Sequence, residues 1–404
     1  MSGTPMPNKI ETTKQVVSRR DLAITFLKLG SIGFGGRMAM IALMEQEFVG
    51  KRRVMDAEEF LHGVGLGQVL GPFAVNTAFF IGYRLHAAVG GLVSAGAFMF
   101  PSVALVLVLS WLYFAYHAVP AMQGVVGGLG PVVIALILSA AWTMGKKALR
   151  SLPAGILCAL ATIAGLCKLS PIAVLVIAGA LGLSLGKRRL SKGGKPPKPA
   201  GVSSPSEKKE PIRSGLLPWF LTAQGVSAAG GISLGHLGLT FLKVGLVFFG
   251  GGFVLIPVLH RTLVENLGWL NSQEFIDGIA ISNLTPGPIA VLATFAGYRM
   301  LGIVGALTAT LALFLPGVAL MFILCHQYER IKDGTKAQDF LAGIVPAVIG
   351  LILSAAVLLS IETLHSWQSY ALSAVSLLLL VRLRLHPIFV LALGALAGAT
   401  SVLR

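Results

Sequence analysis

Only 12% of the 404 residues are charged, so the side chains able to do acid–base or ion-binding chemistry are few. The informative ones recur in pairs 215 positions apart: Lys28 with Lys243, Glu59 with Glu274 and Arg84 with Arg299. Glu45 stands opposite His260 at the same offset, and His62 opposite Asp277. A lysine at membrane depth is a candidate partner for an anion. Lys28 and Lys243 each lie seven residues, two helical turns, before a glycine of a cluster, Gly35 or Gly250. The competing reading is snorkelling: Lys28 is about 10 Å along a helix from Asp21, and its stem can carry the charge to the interface. Both readings stay open. Arg84 and Arg299 suit either an anion vestibule or an interfacial helix-end anchor. Glu59 and Glu274 read as the third residues of capping boxes begun by Asp56 and Asn271. The two acid–histidine pairs titrate and could carry protons, but scattered polar residues near helix ends ordinarily face water. The eight histidines lack metal-ligand spacing, and no acid, histidine or cysteine constellation suits catalysis. The expectation is a protein that is not an enzyme, with no cofactor and no metal.

These residues flank interruptions of apolar segments. Gly33-Phe34-Gly35-Gly36 interrupts one and Phe249-Gly250-Gly251-Gly252 its counterpart; the next segments are interrupted at Gly71-Pro72 and Pro286-Gly287-Pro288. Glycine admits positive φ and close backbone approach. Proline rejects an interior helical position and pushes its predecessor toward extended backbone. Breaks at membrane depth are tolerated only where protein buries them or a cavity lines them, because unsatisfied backbone groups in hydrocarbon cost several kcal/mol each. Freed amides at half-helix N-termini favour anions. Corresponding breaks in two halves point to a transporter's binding site, although lone glycines also serve packing and kinks. The candidate substrate-binding set is therefore Lys28, Gly35, Gly36, Arg37, Gln68, Gly71, Pro72, Lys243, Gly250, Gly251, Asn283, Pro286, Gly287 and Pro288, with Arg84 and Arg299 as a vestibule. Gln68 and Asn283 occupy equivalent positions before the second breaks. Their amides can donate to an oxyanion or satisfy freed backbone. Asn76 and Thr285 are weaker candidates for the same roles.

The elements that carry these residues are membrane helices. A soluble domain is about one-quarter charged; here 55% of residues are hydrophobic, and residues 85–145 contain no Asp, Glu, Lys or Arg. That run suffices for two spans of about 20 residues. Nine of the basic residues behind the net charge of +16 lie in one Pro/Gly/Ser-rich stretch, 187–214, a flexible cytoplasmic linker rather than a nucleic-acid arm. The polar N-terminus lacks an apolar signal core. Cys158, Cys167 and Cys325 lie in or beside apolar runs and read as packing residues.

The 215-residue offset is a duplication. FLKLGSIGFGG from Phe26 matches FLKVGLVFFGG from Phe241, the Gly-Tyr-Arg at 82–84 matches 297–299, and LILSAA recurs at 136–141 and 351–356. The organisation is a cytoplasmic tail (1–19), repeat one (20–186), the linker (187–214) and repeat two (215–404). Equivalent loops carry opposite charge. HAVPAMQ lacks the Arg330, Lys332 and Lys336 of its counterpart, whereas the loop with Lys146, Lys147 and Arg150 faces one without lysine or arginine. This predicts inverted repeats. Inversion requires an odd crossing before repeat two, for which 216–239 is the one candidate, and Lys51-Arg52-Arg53 stays inside only if the first two segments of each repeat are re-entrant. The expected fold class is an all-α polytopic membrane protein of two inverted homologous repeats, with broken, re-entrant helices at the repeat interface.

At these residues the chain resembles the chromate ion transporter (CHR) family of bacterial membrane proteins. The resemblance rests on FLKLGSIGFGG, the Glu-Phe stretches, the Pro/Gly breaks, the Gly-Tyr-Arg motifs and SNLTPGPIAV, and it covers both halves. It implies two homologous halves of opposite orientation, and export of chromate, a tetrahedral dianion like sulfate, across the bacterial inner membrane, driven by the proton motive force or membrane potential. The partners implied are the oxyanion, the lipid bilayer, optionally protons and a second copy in a homodimer, and no nucleic acid. Repeat one departs from the family pattern at Gly71-Pro72-Phe73, where Pro-Gly-Pro is usual, and at Arg37, where proline is common. The alternative function is a channel or transporter for a different small solute or cation, against which the scarcity of acids in apolar runs argues.

Overall fold

A computed structural model describes residues 17–32, 37–69, 72–116, 120–149, 151–191, 233–248, 253, 255–327 and 335–402. Among these, all regular structure is helical. Repeat one contributes α1 (Arg19–Ile32), α2 (Arg37–Glu45, continued by a π-helical stretch Gln46–Lys51), α3 (Ala57–Val69), α4 (Phe73–Tyr116), α5 (Pro120–Ala148), α6 (Leu152–Leu166) and α7 (Pro171–Ser191). Repeat two contributes α8 (Leu234–Leu246), α9 (Leu255–Leu259, continued as π-helix over His260–Asn266), α10 (Ser272–Leu284), α11 (Leu292–His326), α12 (Thr335–Thr363), α13 (Trp367–Val381) and α14 (Pro387–Val402). Each helix of repeat two falls on its partner at the 215-residue offset. α7 runs to Ser191, into the stretch read as linker.

The first segment of repeat one enters and returns. Arg52, just beyond α2, donates to Thr25 Oγ1 in the second turn of α1 (2.8 Å) and to Glu47 (2.8 Å). Phe48 stacks on Phe26 with ring centroids 5.0 Å apart. Lys51-Arg52-Arg53 therefore returns to the face where α1 began. In repeat two, Trp269 comes back edge-on to His236 in the first turn of α8 (5.4 Å). The second segments are re-entrant too. Going from the tip outward, Gly67 packs on Phe73 and Thr77, Gly63 on Phe80, and Glu59 pairs with Arg84. Repeat two repeats this ladder with Gly278 on Leu292 and Phe295 and Glu274 on Arg299.

α4 and α11 are each two antiparallel arms rather than one rod. α4 reverses at His86 (φ −142°) and Ala87 (φ +53°), and α11 at the equivalent Leu301 (φ −139°) and Gly302 (φ +60°). Gly302 accepts the left-handed conformation without steric cost, whereas Ala87 holds it against its own Cβ. Beyond the reversals the arms meet at Gly82 against Gly90 and Gly297 against Gly305. Thr294 and Thr310, sixteen residues apart, share a 2.7 Å hydrogen bond that a straight helix would forbid.

The second arms, 88–116 and 302–326, cross between the repeats. Phe114, near the end of α4, stacks on Tyr298 beside the reversal of α11 (6.1 Å). Reciprocally, Phe322, near the end of α11, sits edge-on to Tyr83 beside the reversal of α4 (5.8 Å). The start of each arm thus lies at the end of the other. Equivalent helices run antiparallel, which is inverted topology. Thr363, the last residue of α12, likewise packs on Gly130 in the first half of α5. The repeats also exchange their final helices: Gly394 and Gly398 of α14 close on Gly128 of α5, and Ala178 and Gly182 of α7 on Gly343 of α12.

Among the described residues, four helices are long and apolar enough to cross a membrane: Phe73–Tyr116, Gly124–Lys146, Ile289–His326 and Gly343–Thr363. Shorter apolar helices, α6 and α7 with α13 and α14, pack around α12 and α5. Arg52 on Thr25 and His86 on Val17 bring Arg19, Arg52 and Arg84 to one face, and the positive-inside rule assigns that face to the cytoplasm. The candidate crossing at 216–239 falls mostly outside the described residues. The fold makes a side-specific prediction at the exposed equivalents Lys51 and Asn266. Single cysteines there, in a background lacking Cys158, Cys167 and Cys325, should react with an impermeant maleimide from opposite sides of the membrane; labelling from one side would refute inversion.

Candidate functional site

The best-described break is that of repeat two. α10 starts with a reciprocal capping box: Asn271 Oδ1 accepts from the Glu274 amide (2.8 Å), and Glu274 Oε2 accepts from the Asn271 amide (3.1 Å). It ends where Thr285 turns extended (φ −98°, ψ 147°) ahead of Pro286, as a residue preceding proline should. Near this end Asn283 donates to Ile279 O (2.8 Å) and Thr285 to Ser282 O (3.0 Å). Asn283 thus spends one donor on backbone. Gly287 has φ +128°, which L side chains rarely adopt. After Pro288 the chain makes a single 3₁₀ turn, Ile289–Val291, and enters α11.

This tip seats on the other repeat. Ser102 Oγ of α4 donates to Pro286 O, and a Cβ at Gly287 would overlap the same hydroxyl. Ser102 is the midpoint of the 88–116 arm, about 21 Å of helix from either end. The break therefore lies at mid-depth, on the repeat interface. The amides of Gly287 and Ile289 meet no acceptor among the described residues, so two donors are available at the entrance to α11.

Pro72, in the repeat-one break, is buried. Gly35, Gly36, Gly71, Gly250 and Gly251 lie outside the described residues, as do the side chains of Arg37 and Gln68. Lys28 and Lys243 are exposed. Lys28 shares its face of α1 with exposed Ile24 and Ile32, and Lys243 stands four residues from exposed Leu239 and three from exposed Leu246. Neither has a described contact with the Pro286–Pro288 tip.

Arg84 and Arg299 each pair with the glutamate at the start of the same re-entrant hairpin, Glu59 and Glu274, the latter at 3.0 Å. Arg299 also lies over the Phe114 ring, 5.6 Å from its centroid. With Glu274, Tyr298 and Phe114 it lines a cavity of about 360 Å³ between the repeats, on the face opposite the basic one. Arg299 thus stands at a helix end and lines this cavity.

The expectation that the acid–histidine pairs face water is corrected at two positions. Asp277 is 1% exposed and His260 4% exposed. Asp277 Oδ2 accepts from Tyr113 Oη of repeat one (2.7 Å), and Oδ1 from Gln273 Nε2 (2.9 Å). His260 lies between Glu265 (3.6 Å) and Glu362 (3.7 Å) and edge-on to Phe275. The sequence reading missed Tyr113; its one signal was a phenol near the middle of the uncharged run 85–145. No His/Cys/Asp/Glu cluster among the described residues suits a metal.

The seating of the tip is testable. Gly287→Ala places a Cβ at a forbidden φ and against Ser102, a strain of about 1–3 kcal/mol. Transport should fall at least tenfold, and adding Ser102→Gly should restore part of it. Unchanged transport by Gly287→Ala would show that the tip does not hold this geometry.

Comparison with known proteins follows the same outline. A family model described as "Chromate transporter" matches residues 20–183 and again 235–399, one match per repeat. A "Probable chromate transport protein" of Synechococcus elongatus is 30% identical over 386 residues, covering 94% of this chain and 95% of its own. A "Chromate transport protein" of Cupriavidus metallidurans is 28% identical over 399 residues, covering 96% and 94%. Another of that name, from Pseudomonas aeruginosa, is 30% identical over 350 residues, covering 85% and 81%. No solved structure gives a significant match. Two family matches on two inverted repeats, with relatives aligned across nearly the whole length, establish that this chain is a multi-pass membrane protein of the chromate transporter family.

Proposed function

We propose that the protein is a secondary active transporter that exports chromate, or a related tetrahedral oxyanion such as sulfate, across the bacterial inner membrane. The observation that carries this reading is the Pro286-Gly287-Pro288 break, held at mid-depth on the interface of inverted repeats with two amides unspent. Amides at a half-helix N-terminus suit an oxyanion, since they supply directional donors and a positive dipole end without the desolvation cost of a buried cation.

Around that centre, Gly250 and Gly251 with Gly35, Gly36, Gly71 and Pro72 supply the remaining openings. Asn283 and Gln68 supply amide donors, and Lys28, Lys243 and Arg37 supply charge toward the path. Arg299 is the vestibule cation of one face and Arg84 of the other. Moving one elementary charge through 100 mV is worth about 2.3 kcal/mol. An interior-negative potential therefore favours outward movement of a dianion by about twice that, so export needs only a path that alternates between faces. Rocking of one repeat against the other about the crossed arms would provide it.

The test is uptake of labelled chromate into energised inside-out vesicles, with sulfate and molybdate as competitors. Saturable uptake that collapses with the gradient is expected, and no energised uptake of any oxyanion would overturn the reading. Replacing both lysines with alanine should lower uptake about tenfold, the equivalent of 1.4 kcal/mol. Unchanged uptake would remove Lys28 and Lys243 from the path and leave the transport class standing.

A further inference from the structure

Asp277 is the buried acid that the oxyanion path leaves unused. It lies in the second turn of α10, about 8 Å of helix from the outer end and about 14 Å from the Pro286–Pro288 tip. Both its oxygens are engaged, one by Tyr113 across the repeat interface and one by Gln273 on its own helix. Among the described residues no cation pairs with it. Arg299 of α11 is committed to Glu274 and lies over Phe114. Glu274, next to it on α10, adds only like charge. His260 and Glu362 gather at the first turn of α10, on Phe275 and Ser272.

A carboxylate taken out of water needs its charge compensated, and leaving it unpaired costs several kcal/mol. Tyr113 and Gln273 are neutral donors. Phe114 and Phe295 close around the phenol, Phe295 with its centroid 5.5 Å from the Tyr113 ring. The compensating charge that this packing can admit without rearrangement is a proton, and Phe114, whose ring packs edge-on to Tyr113 at 4.8 Å, also lines the cavity formed with Glu274, Tyr298 and Arg299 on the outer face.

We propose that Asp277 is a proton-binding site that couples proton entry from the outer face to movement of the repeats. One proton taken from the outer solution converts the carboxylate to the neutral acid, and no other bond is made or broken. A hydrogen bond to an ionised acceptor is about twice as strong as a neutral one. The ionised form therefore fastens Tyr113 of repeat one to α10 of repeat two, and protonation loosens that fastening. α10 is a continuous helix between Asp277 and the break, so release at its outer end frees the tip from Ser102 at mid-depth. The inference rests on the oxyanion-transporter reading above.

The experiment uses purified full-length protein in liposomes and compares wild type with Asp277→Asn, Asp277→Glu and Tyr113→Phe. Three quantities are read: chromate exchange at equal pH, net chromate movement driven by a pH gradient, and chromate-induced proton flux followed by an entrapped dye. Asp277→Asn should keep exchange and lose about tenfold or more of the driven movement together with the proton flux. Asp277→Glu should keep both. Tyr113→Phe should keep coupling but move its pH midpoint upward, because a donor to the carboxylate is gone. Proton flux and driven movement that survive in Asp277→Asn, or an unmoved midpoint in Tyr113→Phe, would overturn the proposal. So would wild-type exchange without proton flux. If wild type exchanges no oxyanion, the transporter reading fails, and infrared titration still tests the proton site. A carboxylic C=O band that grows on acidification in wild type and is missing in Asp277→Asn supports it, and the same band in both overturns it. If Asp277→Asn does not fold, Asp277→Glu and Tyr113→Phe decide through the midpoint.

Discussion

Hydrocarbon offers no partner to a free amide or carbonyl, and this constraint organises the molecule. Helices satisfy it along their length, whereas a chain that stops being helical at mid-depth must be enclosed by protein. The tip at Pro286-Gly287 meets that requirement by seating on Ser102 of the other repeat. The seat comes from the partner repeat, while the two arms of α11 pack on each other at Gly297–Gly305 and Thr294–Thr310. The antiparallel crossing of the second arms of α4 and α11 brings the middle of the α4 arm to the hairpin tip of repeat two.

The rest of the packing follows from that crossing. Where lipid is as apolar as the interior, helices associate through close contact rather than the hydrophobic effect. The contacts that hold the two halves together accordingly use residues without bulk: Gly128 against Gly394 and Gly398, and Gly343 against Ala178 and Gly182. These contacts are reciprocal, as a pseudo-two-fold relation requires. They also leave the halves interlocked, since each repeat's final helix belongs to the other's packing. The rocking proposed for transport would then turn interlocked bundles about the crossed arms of α4 and α11, with small sliding at the glycine contacts.

Much of this was legible in the sequence because its signals are local or periodic. Glycine and proline mark breaks wherever they stand, the 215-residue echo marks the duplication, and lysine and arginine in loops mark the face. The re-entrant turn was forced by Lys51-Arg52-Arg53, whose charge could not lie outside, and Arg52 on Thr25 is its structural counterpart. The inter-repeat contacts were not legible. Tyr113 and Asp277 are 164 residues apart, and Ser102 and Pro286 are 184 apart. Helices that are apolar all round give no period to say which side meets protein and which meets lipid. The same ambiguity left the lysines undecided: the apolar neighbours of Lys28 read alike on paper, yet Ile24 and Ile32 are exposed while Leu22 and Phe26 are buried.

Symmetry between the repeats makes their differences informative. If both halves were identical in chemistry, inward- and outward-facing arrangements would be equal in energy, and nothing but the substrate gradient would set direction. The departures fall at the crossing itself. Asp277 stands where repeat one has His62, Ser102 where repeat two has Gly317, and a full Pro-Gly-Pro where repeat one has Gly71-Pro72-Phe73. Each changes what holds a tip or a half-helix on one face without changing the backbone plan. A ligand or a proton biases an equilibrium only through differential interaction with its two states. On the proton-coupling proposal, an acid on the outer half-helix and an imidazole at the equivalent inner position would provide that difference, the duplicated fold supplying the two states and the unmatched residues the preference between them.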